Sequence, residues 1–296
     1  MSKFVIFADS TCDLDKALRE KIDVQYTPMN YVIEGKEYVA SLDWETHSAK
    51  EFYDFMRNGV LIRTTQVPAE NYRRDFSKYL EEGLDILYIS CSSALSGSVK
   101  TAEVVAGELM EKYTGRKVIC VDSLNSSLGQ GSMVIKASEL RAEGKSIDEV
   151  ADYIKTNRLK YNQFATVASL TYLKRAGRVT ASSAFFGNLF SVKPILISDA
   201  IGQNYAIKKV KGTMASRKEI VALVKENVEN AEEQTLYISH SDALEDAEAI
   251  RDMIMSEVPF KDSYINYIAP IVGASVGPGT LGIYFVGKEV TIEGKA

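Results

Sequence analysis

Leu84-Asp85-Ile86-Leu87-Tyr88-Ile89-Ser90-Cys91-Ser92-Ser93-Ala94-Leu95-Ser96-Gly97-Ser98 runs from an apolar stretch into a cluster of hydroxyls. Leu84, Ile86, Leu87, Tyr88 and Ile89 have the pattern of a short strand buried on both faces, as in a parallel sheet. From Thr101 the apolar spacing turns helical, with Val104, Val105, Leu109 and Met110 expected on one side. A turn at the C-terminal end of a parallel strand, opening a helix, aims N–H groups and short hydroxyls into one crevice. A lone serine there would read as a helix cap. Four serines within residues 92–98, where open α/β sheets bind ligands, point to an anion site built from neutral donors.

The same device recurs on either side. Residues 4–8 form a buried strand that ends in Asp9-Ser10-Thr11-Cys12-Asp13 before a helix over 14–21. Arg63-Thr64-Thr65-Gln66-Val67-Pro68 is expected as a loop before the helix carrying Tyr72, Phe76 and Leu80, with Pro68 at its start. Residues 117–121 form a further strand ending in Asp122-Ser123-Leu124-Asn125-Ser126-Ser127. Asp9, Asp13 and Asp122 each stand beside a helix start and read as caps before they read as metal ligands.

These strands, alternating with helices, predict a doubly wound, mainly parallel, Rossmann-like sheet over residues 1–160. Residues 30–39 alternate around Glu34-Gly35-Lys36, a hairpin expected as an edge ribbon. Residues 161–296 predict a second α/β (α+β) domain with a mixed sheet. It holds a helical turn ended by Gly177, an apolar helix over 180–190, and a hairpin around 199–203. Tyr237-Ile-Ser-His-Ser-Asp-Ala-Leu244 echoes Tyr88-Ile-Ser-Cys-Ser-Ser-Ala-Leu95, which supports one α/β unit in each half.

At 296 residues the chain is long enough for two domains. Apolar residues are 46% and charged residues 25%, an ordinary globular mixture. A net charge of −5 and the lack of a recognition motif argue against nucleic acid as a partner. Cys12, Cys91 and Cys120 share no metal-ligand spacing and read as reduced thiols of a cytoplasmic protein. The N-terminal residues enter a strand with no signal-peptide pattern, and no apolar run is as long as a membrane span.

Two motif matches fail on context. Gly273-Ala-Ser275-Val-Gly277 fits the nucleophile elbow G-x-S-x-G, but that fold needs a histidine after the serine. The two histidines, His47 and His240, both precede Ser275. Gly277-Pro-Gly279-Thr-Leu-Gly282 fits G-x-G-x-x-G without the βαβ unit or the later acidic residue of a dinucleotide site. Gly277 and Gly279 still describe a turn whose N–H groups approach a ligand or another backbone.

Ser10, Thr11, Thr64, Thr65, Ser92, Ser93, Ser96 and Ser123 come with no base, metal or nucleophile activator in the pattern. Hydroxyls and amides hold a carboxylate or phosphate without transforming it. The expectation is a binding protein with no catalytic residues, cofactor or metal. Arg178 can add charge, while Lys174 and Arg175 are expected at the end of their own helix. The apolar stretch 184–190 reads as core before it reads as a ligand tunnel, and if the ligand has a long hydrocarbon tail its wall is expected there. The competing reading is an enzyme, either a serine hydrolase through Ser275 or a phosphotransferase through the polar turns.

Taken together, Asp9-Ser-Thr-Cys-Asp13, Thr64-Thr65, Ser92-Ser-Ala-Leu-Ser-Gly97, Leu173-Lys-Arg-Ala-Gly-Arg178 and Gly273-Ala-Ser-Val-Gly-Pro-Gly279 resemble the DegV family of bacterial fatty-acid-binding proteins. The resemblance implies two α/β domains with one long-chain fatty acid between them. It implies carboxylate contacts from Thr64 or Thr65 and from Ser92 or Ser93, with Arg178 and Ser275 close by. Ser10, Thr11, Ser96, Gly277 and Gly279 are further candidates. It also implies a partner, a separate ATP-dependent fatty acid kinase subunit that makes an acyl phosphate for phospholipid synthesis, and a transient contact with a membrane surface. Two positions depart from the family pattern. Gln66-Val67-Pro68 replaces the common Ser-Gln-Pro run, and Ser275 stands where many relatives carry histidine.

Overall fold

The apolar run at 84–89 becomes a strand, Asp85–Ser90, with every residue buried in the computed structural model, which describes residues 3–180 and 192–294. The first half comprises β1 (Phe4–Asp9), α1 (Lys16–Lys21), β2 (Val24–Thr27), β3 (Asn30–Ile33), β4 (Lys36–Val39), α2 (Ala49–Arg57), β5 (Ile62–Thr65), α3 (Ala69–Glu81), β6 (Asp85–Ser90), α4 (Ser98–Lys112), β7 (Val118–Asp122), α5 (Ser127–Ala142) and α6 (Ile147–Asn157). The second comprises β8 (Tyr161–Thr166), α7 (Leu170–Ala176), β9 (Val192–Ser198), β10 (Asn204–Lys211), α8 (Thr213–Asn227), β11 (Thr235–His240), α9 (Leu244–Glu257), β12 (Asp262–Tyr267), α10 (Pro270–Val276) and β13 (Leu281–Val286).

Strands β2-β1-β6-β7 form a parallel sheet in that order. Its strands are buried on both faces because alternate side chains feed two different cores. Val5, Phe7, Ile86 and Tyr88 pack with Phe76 of α3 and Val105 of α4. Ile6, Ala8, Leu87 and Ile89 pack with Met133 and Ala137 of α5 and Ile154 of α6. The sheet is doubly wound, as the pattern of the first half requires. The second half builds a six-stranded mixed sheet, β10-β9-β8-β13-β11-β12, in which β11 and β12 run parallel and the other neighbours antiparallel. Helix α5 packs against β1 and also against β11 and β13, so it joins the two sheets. Among the described residues, no helix is long and apolar enough to cross a membrane.

The structure departs from the sequence reading in several places. Thr64 and Thr65 are not in a loop but end β5, which pairs with β3 through Tyr31↔Thr64 and Asn30↔Thr65. The hairpin of β3 and β4 therefore becomes part of a separate three-stranded sheet, β4-β3-β5. On α4, Val104 and Met110 are exposed, and the buried stripe is Val99, Ala102, Val105, Ala106 and Leu109. Small alanines fit that side because α4 lies close on β7. Asp13 does not cap α1; Asp15 does, its carboxylate accepting from the Leu18 amide at 2.8 Å. Thr180 is not the start of a helix. Its amide donates to the Asn204 carbonyl and it bridges to Tyr205, while the rest of the predicted 180–190 helix lies outside the described residues. Residues 270–276 form a short helix, α10, with Pro270 in its first turn.

Candidate functional site

The loops that follow β1, β6 and β7 leave the same C-terminal edge of the parallel sheet, the position where open α/β sheets take ligands. The end of β5 and one side of α10 close over them. Between these elements lies a cavity of about 150 Å³. Six hydroxyl residues line it: Thr11, Thr64, Thr65, Ser96, Ser126 and Ser275. Arg178 is the one cation among its described lining residues, and no Asp, Glu or His is among them. Met29, Leu95, Ile271 and Val272 supply apolar wall. Ser126, Asn204, Val272 and Val276 are shared with a second, smaller cavity of about 30 Å³. That one leads into the second half between Ala165, Val167, Leu173 and Leu196, which belong to a core cluster of their own. The hydroxyl-lined mouth thus shares a wall with a small, mainly apolar cavity.

A buried carboxylate organises the mouth. Asp9 is fully buried and accepts from the Thr11 amide (3.0 Å) and hydroxyl (2.5 Å), the Tyr88 hydroxyl (2.8 Å) and the Cys91 amide (2.9 Å). Those bonds tie the loop after β1 to the loop after β6 and fix Thr11 and Cys91, both on the cavity wall. A buried charge with this many donors is satisfied, so Asp9 acts as a positioning group and not as a base aimed at the cavity. Ser10 is used the same way. Its hydroxyl accepts from the Met29 amide at 2.9 Å and sets Met29 on the wall. Ser98 Oγ accepts from the Val67 amide at 3.2 Å, anchoring the chain just after Thr64 and Thr65 to the head of α4. Ser96 and Ser98 bond each other at 2.9 Å. Leu124 (φ 52°) and Ser127 (φ 55°) flank Ser126 in left-handed conformations, a costly local geometry of the kind that gathers around binding sites.

Of the site residues expected from sequence, Thr11, Thr64, Thr65, Ser96, Arg178 and Ser275 come together on one cavity. The hydroxyls of Thr64 and Ser275 have no protein partner among the described residues, whereas Thr65 Oγ1 donates to the Asn30 carbonyl at 3.4 Å. Arg178 is held by its Nε on the Leu95 carbonyl (3.2 Å) and its Nη1 on the Ala176 carbonyl (2.5 Å). Its position just past α7 depends on Gly177, which closes that helix at φ 69°.

Five expected residues do not line the cavity. Ser92 is fully buried with its Oγ accepting from the Ala94 amide, and the Gly202 backbone lies against that oxygen. Ser93 is exposed, and its amide donates to Asp122 Oδ1 at 3.1 Å. The first turn after β6 thus spends these serines on loop structure and brings Ser96 to the cavity in their place. Ser10 is taken by Met29. Gly277 and Gly279 do form a close backbone approach, but to Ser241: its Oγ donates to the Gly277 carbonyl (2.6 Å) and its carbonyl accepts from the Gly279 amide (2.8 Å). Sequence reasoning missed Met29, Gln66, Ser126 and Asn204 on the wall. Ser126 sat in a polar turn already noticed; Ser123 of that turn bonds the Asn125 carbonyl instead.

The chemistry available here is narrow. Burial pushes the Cys91 thiol well above its ordinary range, so it is not a thiolate nucleophile at neutral pH. His240 is buried with its pKa lowered to about 4 by that burial. Its Nδ1 accepts from the Ala243 amide at 3.2 Å, and it does not reach the cavity that holds Ser275. His47 pairs with the Tyr31 hydroxyl at 2.7 Å, also away from it. Among the described residues no group of three or more His, Cys, Asp or Glu is placed to hold a metal ion. The arrangement offers hydrogen-bond donors and one guanidinium to an anionic head, with an apolar slot behind.

Comparison with known proteins identifies the family. Residues 3–288 match the family described as "Uncharacterised protein, DegV family". A DegV domain-containing protein of Clostridium perfringens is 38% identical over 287 residues, which cover 97% of this chain and 98% of its own. A solved structure from Thermus thermophilus, described as fatty acid binding of a DegV family protein, superposes with a TM-score of 0.86. It has 30% identity and covers 97% of this chain and 100% of its own. A Thermotoga maritima structure, described as a DegV lipid binding protein, gives 0.84 at 25% identity, covering 98% and 100%. With a family match over residues 3–288 and a relative 38% identical along nearly its whole length, the chain belongs to the DegV family.

Proposed function

We propose that the chain binds one long-chain fatty acid without transforming it. The carboxylate is received by the hydroxyls of Thr64 and Ser275, with Ser96, Thr65 and Thr11 around it and the Arg178 guanidinium balancing its charge. The tail follows the apolar slot past Val272 and Val276 into the second half. The observation that carries this reading is the composition of the mouth: six hydroxyl residues and one arginine, with no described acid or histidine among the lining residues. Such a wall stabilises an anion by hydrogen bonding and lacks the base that a serine nucleophile requires. The fatty-acid and lipid binding of the Thermus and Thermotoga relatives supports the ligand class. In the finer form of the proposal, the protein presents the bound carboxylate to a separate ATP-dependent kinase subunit.

The test is hexadecanoate affinity by calorimetry. Thr64→Val keeps the shape and removes the donor; Ser275→Ala does the same on α10. Each is expected to weaken binding roughly tenfold, the worth of a hydrogen bond to a charged acceptor. Unchanged affinity in both variants would place the carboxylate elsewhere. Turnover of an ester by the wild-type chain, lost in Ser275→Ala, would establish the hydrolase reading instead.

A further inference from the structure

The small cavity behind the mouth is not wholly apolar. On β8, Gln163 and Ala165 alternate onto one face, with Val167 just beyond the strand, and all three line it. Gln163 is only 5% exposed, and the direction of its amide is fixed by its neighbour. Asn204 Nδ2 donates to the Arg178 carbonyl at 3.1 Å, which leaves Asn204 Oδ1 to accept from Gln163 Nε2, also at 3.1 Å. Gln163 Oε1 is therefore the atom turned away from Asn204, and it has no donor among the described residues. Ser126, on the wall shared by this cavity and the mouth, is 7% exposed. It stands at the N-terminal cap of α5, yet its hydroxyl makes no capping bond and has no partner among the described residues. The other polar groups of this wall are occupied. The Tyr284 hydroxyl bonds Ser239 Oγ at 3.2 Å, and Thr280 Oγ1 donates to the Val276 and Gly277 carbonyls at 3.2 and 3.0 Å.

We infer that Gln163 and Ser126 receive a hydroxyl carried on the acyl chain, so that the ligand is a hydroxylated long-chain fatty acid. The amide oxygen lacks a donor, and the serine hydroxyl is free to donate; an alcohol supplies the first and accepts the second. A plain hydrocarbon tail laid against the amide oxygen would exclude water from it and put no hydrogen bond in its place, which is costly. A carbon bearing a hydroxyl restores the bond. The space of about 30 Å³ admits a group the size of a water molecule, which is also the size of a hydroxyl. Gln163 lines this inner cavity and not the mouth, so the group it meets belongs to the tail and not to the carboxylate head. The inference rests on the fatty-acid reading of the mouth and adds to it what the tail carries.

The test is the calorimetric affinity of the delipidated whole chain for octadecanoate and for octadecanoates hydroxylated at each single carbon from the third to the twelfth. At least one isomer is expected to bind wild type about tenfold more tightly than octadecanoate, the worth of pairing a buried acceptor. Gln163→Leu fills the same space without the acceptor. In that variant the preference is expected to vanish while octadecanoate affinity does not fall. If Gln163→Leu binds neither ligand, Ser126→Ala, which deletes a single oxygen, is read in its place with the same isomer. Tight octadecanoate binding with every isomer equal or weaker overturns the inference, a water then serving both groups. A preference that survives the substitution overturns it too. Failure of octadecanoate and of every isomer to bind wild type is a different result, and it rejects the fatty-acid reading itself.

Discussion

Asp13→Asn is expected to make the protein more stable than wild type above pH 7, by on the order of 4 kcal/mol, and no different near pH 3.5. Asp13 is fully buried at the junction of the two halves. Its carboxyl accepts from the Ala269 amide (2.9 Å) and the Ser127 hydroxyl (2.5 Å), and the Asn266 side chain donates to its carbonyl (2.7 Å). Burial raises its pKa from 3.8 to about 7 against the opposing pull of the Ser127 and Ala269 hydrogen bonds. Between those values the native state keeps a proton that the unfolded chain has released. Stability from this group is therefore full below pH 4 and falls as pH rises toward 7. An asparagine presents the arrangement of the protonated acid at every pH. Its oxygen accepts from Ala269, its amide donates to Ser127 Oγ, and Ser127 passes its own proton to Ser239 Oγ at 2.9 Å. Asparagine also tolerates the φ of 53° at this position. Urea melts of both proteins from pH 3.5 to 8 check this; parallel curves would show that Asp13 does not hold its proton.

Asp9→Ala is expected to have the opposite effect, a loss of about 4 kcal/mol at neutral pH, since buried donors left without an acceptor cost roughly 1–3 kcal/mol each. The buried Thr11 and Cys91 amides would lose their acceptor, while the Thr11 hydroxyl keeps Gln130 Oε1 at 2.6 Å and the Tyr88 hydroxyl keeps Ser90 Oγ at 3.1 Å. Asp9→Asn should recover part of the loss, because one oxygen remains to accept while the new NH₂ faces a donor. The same denaturation experiment reads both variants, and a loss below about 1 kcal/mol for the alanine would mean that water replaces the carboxylate.

The architecture was legible where side-chain periodicity and turn chemistry coincide. The runs at 4–8 and 84–89, each passing into a hydroxyl turn, identify parallel strands because burial on both faces leaves no alternation to misread. Legibility ends where pairing partners decide. Ile62-Arg63-Thr64-Thr65 becomes a strand only through its register with β3, and one of its four residues is buried. Helix α10 was hidden by Gly273 and Gly277, yet Gly273 is there for packing. A Cβ at that position would stand 2.5 Å from the Tyr53 hydroxyl, which itself donates to the Ile268 carbonyl. Among the serines, sequence locates the cluster but not its aim. Ser92 stands against Gly202, more than a hundred positions away, while Ser96 lines the cavity with its hydroxyl bonded to Ser98 of its own turn.

The mass of the purified protein under native conditions addresses the central claim most directly. A hydroxyl-lined mouth opening on an apolar slot should retain one acyl chain through purification, or take up one equivalent of added hexadecanoate, seen as a single adduct of fatty-acid mass. A spectrum showing only the bare chain, before and after hexadecanoate is added, would contradict it.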